Sequence, residues 1–151
     1  MNENVLRSIN PKNNLKLNSW DIFSLDDLDS IIKNSATAQI YWKDLDLKFR
    51  LEQIKNLAQI IDERSKELSI IMADEMGKPV KQGQHEIRKC IQLCDYYIEN
   101  SKQFLTNQYI QTDSIESYIT YCPIGLVFGI MPWNFPFWQV FRFAIPSLTV
   151  G

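Results

Sequence analysis

A basic surplus, glycine and paired cysteines are all in short supply in this chain of 151 residues. Sixteen Lys and Arg stand against eighteen Asp and Glu, for a net charge of −2. With no positive excess to neutralise phosphates, nucleic acid is excluded as an expected partner. Three cysteines make an odd number, and nothing else points to secretion, so they read as reduced thiols of a cytoplasmic protein. Residues 1–11 carry neither the apolar core of a signal peptide nor the Arg-rich pattern of a transit peptide. Glycine numbers only 5, about half of average usage. A complete nucleotide-binding domain draws on more, so the composition points to part of one.

Charge is missing from the last stretch altogether, save once. Residues 117–151 contain a single charged side chain, Arg142. Such a segment cannot make a solvated surface and belongs inside something. A membrane is one place for it, because an uncharged run of this length could span. Pro123, Pro132 and Pro136, together with Gly125 and Gly129, argue against a spanning helix. Buried strand, loop and helix fit better.

What is present is a folded chain, 45% apolar and 12% aromatic, long enough for a sizeable core. The expected fold class is α/β: N-terminal helices plus the start of a Rossmann-like parallel sheet. After a short extended entry, residues 20–105 read as helical. Ser24 is placed as an N-cap with Asp27 as its capping-box acid. Leu47, Leu51, Ile54, Ala58 and Ile61 step by three and four, as the buried stripe of a helix does. Leu68 and Met72 continue the pattern, and Gly77 with Pro79 is a stop signal. A further helix is striped through Ile87, Cys90, Cys94, Tyr97 and Ser101. After residue 108 the period changes. Residues 117–122 are aromatic and β-branched and read as a strand. Residues 125–131 form a continuous apolar run, as in a parallel strand buried on both faces. A helix is expected from 137 to 148, with Pro146 kinking or ending it.

The loop Met131-Pro-Trp-Asn-Phe-Pro136 lies where ligands bind in open α/β sheets, at the carboxyl end of a buried strand. Flanking prolines stiffen it. Asn134 offers an amide donor able to stabilise an oxyanion, and Trp133 a flat face for a ring or ribose. On pattern alone the plainer reading stands beside this one: Asn134 caps a turn and Trp133 is core.

That loop resembles the PWN-F-P motif of NAD(P)-dependent aldehyde dehydrogenases. Glu75-Met-Gly-Lys-Pro79 is similar to the family's E-x-G-K-P segment, and the helix from Glu86 to Tyr97 to its next helix. Pro123-Ile-Gly-Leu-Val-Phe-Gly-Ile-Met-Pro-Trp-Asn134 resembles P-x-G-V-V-x-x-I-x-P-W-N. The wording from Phe135 to Pro146 is nearest to the succinate-semialdehyde dehydrogenase subgroup. The resemblance implies an incomplete aldehyde dehydrogenase fold, with residues 1–151 as the N-terminal part of the cofactor-binding domain. Within it, 108–122 would correspond to the strand arm through which the family forms homo-oligomers, and 124–151 to the first βα unit. It implies NAD or NADP as cofactor and a small aldehyde as substrate. Asn134 would form half of an oxyanion hole, while Pro132, Trp133 and Asn134 would line the nicotinamide end of the cofactor site. The family's nucleophilic Cys, base Glu, phosphate-binding glycines and ribose-reading residues all fall beyond position 151. The chain alone is therefore expected to be inactive, and NAD is not distinguished from NADP.

Arg142 is the lone charge of the apolar segment, and a buried guanidinium requires an anionic partner. It is expected either to bind the carboxylate of succinate semialdehyde or to pair with a distant acid. Cys90 and Cys94 read as small core residues. A zinc site with His85 lacks the spacing and the ligand number, so no metal is expected. Cys122 stands near no base and is rejected as a nucleophile. His85, Lys78 and Lys81 read as solvated. The alternative to an oxidoreductase is a non-enzymatic remnant, a truncated helical interaction module.

Overall fold

The computed structural model describes residues 5–151; the first four residues of the N-terminal reading lie outside it. The extended entry is a hairpin, β1 (Val5–Ile9) paired antiparallel with β2 (Lys16–Asp21), with a bulge between Ser8 and Ile9. Ser8 and Asn10 tie this ribbon to Glu75 and Asp74 through side-chain hydrogen bonds. Helix is expected from residue 20, yet Trp20 and Asp21 close the ribbon.

Four helices follow. In α1 (Leu25–Lys43), Ser24 accepts from the Asp27 N–H and the Asp27 carboxylate accepts from the Ser24 N–H, completing the expected capping box. The Asp46 side chain caps α2 (Leu47–Glu63) by accepting from the Lys48 N–H. Next comes α3 (Ser65–Met76), which stops at Gly77, whose φ of 73° is the left-handed conformation that ends helices without Cβ strain. Pro79 precedes α4 (Val80–Phe104), the longest element.

The buried stripes are those the spacing indicated. Ile54, Ala58 and Ile61 of α2, Met72 of α3, and Ile87, Cys90 and Cys94 of α4 form one core. Helix α3 approaches α4 closely at Gly83, where a Cβ would stand 3.1 Å from the Ser69 Cα. The core is completed by Phe141 and Ile145 of the last helix, α5 (Pro136–Val150). Pro146 lies inside α5 and does not end it.

Between α4 and α5 the chain departs from expectation. Only Gln108–Tyr109 (β3) and Tyr118–Ile119 (β4) pair, antiparallel. The run 125–131, expected as a doubly buried strand, has no ladder and is largely uncovered: Phe128 is 88% exposed and Ile130 85%, and Ile124 just before it 91%. The reason is hydrogen bonding. A parallel strand needs a neighbour to accept and donate along its length, and no described residue supplies one. Among the described residues both sheets are two-stranded ribbons, and no helix is long and apolar enough to cross a membrane.

Candidate functional site

The loop before α5 is held from behind. Pro136 opens the helix, and Phe135, at the N-cap, contributes no side-chain cap. The cap comes from another helix. One oxygen of Glu86, on α4, accepts hydrogen bonds from the backbone N–H of Phe137 and of Trp138, each 2.9 Å. A carboxylate there also meets the positive end of the helix dipole. The other Glu86 oxygen takes the Lys78 ammonium in a buried ion pair. Lys78 in turn donates to the backbone carbonyl of Asn134 at 3.1 Å, and its Nζ lies 4.0 Å from the centre of the Phe135 ring. Lys78 is only 8% exposed and Glu86 is buried. Removing one member of such a pair strands the other charge, at a cost of about 3–5 kcal/mol.

Fixed in this way, the loop turns its functional groups outward. Pro132, Trp133 and Asn134 are all exposed, Trp133 at 75%. The Asn134 side-chain amide has no protein partner among the described residues, although its backbone carbonyl does. Beside the loop, α4 and α5 form a cleft of about 470 Å³ whose walls include Phe135, Trp138, Gln139, His85 and Lys89. The Lys89 ammonium sits 4.1 Å from the Trp138 ring centre, a cation–π contact at its edge.

Arg142 lies one helical turn after Trp138 on α5. It is exposed and has no ion pair or hydrogen bond among the described residues. The premise of a buried guanidinium thus fails for Arg142 and holds instead for Arg50. That side chain donates to the carbonyls of Lys43, Leu45 and Thr149, joining the end of α1 to the end of α5. Burial lowers its pKa, with Asp46 acting the other way.

Cys90 and Cys94 are buried as expected, whereas Cys122, in a segment expected to be buried, is exposed; none of the three is bonded to another. His85 and Lys81 are exposed. Lys78 is the clear departure, expected in solvent and found at the centre of the site. No group of three or more metal-ligating side chains occurs among the described residues.

Residues 1–151 match the aldehyde dehydrogenase family along their whole length. The chain belongs to that family. Among curated relatives, the NAD(P)+ succinate semialdehyde dehydrogenase Sad of Escherichia coli is 32% identical over 144 residues, 95% of this chain and 31% of that protein. A probable NADP(+) succinate-semialdehyde dehydrogenase of Synechocystis is 40% identical over 102 residues, 68% of this chain and 22% of that protein. The chain thus spans about a third or less of the curated relatives it matches. Among solved structures, the succinic semialdehyde dehydrogenase of Streptococcus pyogenes, in complex with NADP+ as the cofactor, superposes with a TM-score of 0.91 at 28% identity. That match covers 96% of this chain and 32% of the other. The helices, ribbons and Asn134 loop are therefore those of part of an aldehyde dehydrogenase fold.

The Lys78–Glu86 pair escaped the sequence reading, though a signal for it existed. Glu86 stands four residues before Cys90 and three after Gly83, on the buried stripe of α4. Arg50 stands four before Ile54, on the stripe of α2. A charge on an apolar stripe must find a partner inside the fold.

Proposed function

We propose that these residues serve the NAD(P)-dependent oxidation of succinate semialdehyde to the carboxylic acid, with Asn134 as an oxyanion donor. The observation that carries this reading is an exposed, unpartnered Asn134 amide on a loop whose backbone is held from behind. As a nucleophile adds to an aldehyde, the carbonyl oxygen gains negative charge. A preoriented amide N–H stabilises that charge without having to reorganise. The thiol that adds, and the carboxylate that activates water, would come from chain outside residues 1–151, as the family resemblance implies.

Pro132 and Trp133, exposed beside Asn134, fit the nicotinamide end of a dinucleotide by shape and apolar character. A bound nicotinamide would supply the hydride acceptor. The N-terminus of α5 does not fit the phosphates, because its Phe137 and Trp138 N–H groups are taken by Glu86. The phosphate site would thus lie elsewhere.

Arg142 would recognise the substrate's own carboxylate. Its exposure and free guanidinium, one turn beyond Trp138 of the cleft, support this role, and a bidentate fork suits a carboxylate. The names of the E. coli and S. pyogenes relatives favour the same substrate. The test is made on residues 1–151 joined to the part of E. coli Sad beyond the match, once turnover of the unsubstituted joined chain is established. Asn134→Ala should lower kcat about 10²–10³-fold. Arg142→Met should raise KM for succinate semialdehyde roughly 10–100-fold and leave KM for an uncharged straight-chain aldehyde in place. An unchanged KM for succinate semialdehyde would remove Arg142 from substrate binding.

A further inference from the structure

We infer that Lys78 and Glu86 are positioning residues for the Asn134 amide, acting through the backbone at Asn134 itself and in the turn that follows it. This rests on the oxyanion reading of Asn134 given above. Four contacts converge on the loop. Glu86 holds the N–H groups of Phe137 and Trp138, so the first turn of α5 is pinned to α4. Lys78 holds the carbonyl of Asn134 itself and packs its ammonium against the ring of Phe135. Lys78 and Glu86 hold one another.

The backbone is thus fixed at residue 134 by a donor and at residues 137 and 138 by an acceptor. With the Asn134 carbonyl engaged behind the loop, its side chain is left to project on the exposed face. No other polar contact of Asn134 is made among the described residues. Its direction therefore depends on the carbonyl contact and on the stiffness of the prolines at 132 and 136. An oxyanion donor tolerates little displacement, since an error near 1 Å in a reacting geometry costs about a hundredfold in rate.

Lys78→Met deletes the donor to the Asn134 carbonyl. It leaves Glu86 charged, with both helix N–H groups still to bind. Glu86→Gln retains one oxygen for those N–H groups but turns an amide donor toward the Lys78 ammonium, loosening it. The test is a double-mutant cycle in the joined enzyme described above. Lys78→Met alone is expected to lower kcat about tenfold to a hundredfold with less than threefold change in KM for the aldehyde. Combined with Asn134→Ala it is expected to lower kcat no further than Asn134→Ala alone, because both act through one amide.

Full additivity of the two effects would overturn the inference, since a merely structural loss multiplies with the loss of the amide. A kcat unchanged in Lys78→Met would overturn it as well. If instead Asn134→Ala itself leaves kcat unchanged, the oxyanion reading falls first and the positioning role falls with it. Should Lys78→Met not fold, Lys78→Arg, which keeps the charge but displaces its donors, enters the same cycle. Glu86→Gln is the second arm, with the same non-additive result expected and additivity again counting against the inference.

Discussion

Two thiols of α4 lie inside the helical core, and the fold changes how each holds its proton. Burial pushes the Cys90 thiol up from 9.0 to about 12, with the nearby Glu86 carboxylate adding to the effect. Burial raises Cys94 to about 11. The unfolded chain gives up these protons near its ordinary value, while the folded chain keeps them. The folded form is therefore favoured in full below about pH 9 and loses that advantage as pH rises toward 11 and 12. The urea midpoint is expected to fall across this range, and to fall less steeply in Cys90→Ala/Cys94→Ala; equal slopes would refute the assignment. The same burial makes these thiols poor nucleophiles, because thiolate is the reactive form. At pH 8 a thiol reagent should label Cys122 in the folded chain and the other two only after denaturant is added. The burial of Cys90 and Cys94 is what their place on the apolar stripe of α4 predicts.

At the scale of elements, the helices declare themselves and the extended segments do not. The capping box at Ser24 is a local device of four residues, so it is visible in the letters and present in the fold. Ser24→Ala should destabilise by about 1 kcal/mol, read as a lower urea midpoint; no shift would mean that α1 frays in solution. The hydrogen bonds from Ser24 hold the Asp27 carboxyl below its usual value. The cap is consequently at full strength above the usual carboxylate range and weakens as pH falls through the lowered one. The stripes of α2 and α4 were equally legible, since period 3.6 is written into the chain itself. The run at 125–131 was not. Its letters describe a strand, but a strand is a relation between two segments, and no neighbour is present among the described residues. The β1–β2 hairpin was hidden for the converse reason: Lys16–Asp21 alternates weakly, and most of its side chains face solvent. The Asn134 loop was recognisable by motif. Its support is not legible in the letters, because Lys78, eight residues from Glu86 in sequence, stands where a solvated helix-end lysine is expected.

The molecule as a whole shows water an unusual amount of apolar surface. Ile124, Phe128 and Ile130 are almost wholly uncovered, and Trp133, Val140 and Leu148 extend the exposure along the loop and α5. Patches of this extent seldom remain solvated. The 151-residue chain is expected to self-associate, with a sedimentation profile heavier than a monomer and strong binding of an apolar dye. Phe128→Asp with Ile130→Asp should reduce both without lowering the melting temperature, because neither side chain belongs to the core. A monomeric, dye-silent wild type would contradict this. The core of α2, α3, α4 and α5 is formed without that surface, and Glu86 links the two through the loop. The first N–H groups of a helix ordinarily lack intrahelical partners and exchange with solvent readily. In α5 those of Phe137 and Trp138 are held by a carboxylate 51 and 52 residues earlier in the chain. Their hydrogens come free only when α5 parts from α4, so the loop that presents Asn134 belongs to the same cooperative opening unit as the core. On refolding, its shape waits for closure of a contact spanning some fifty residues. The first turn of α5, ordinarily the quickest part of a helix to exchange, is thus expected to keep the slow clock of the interior.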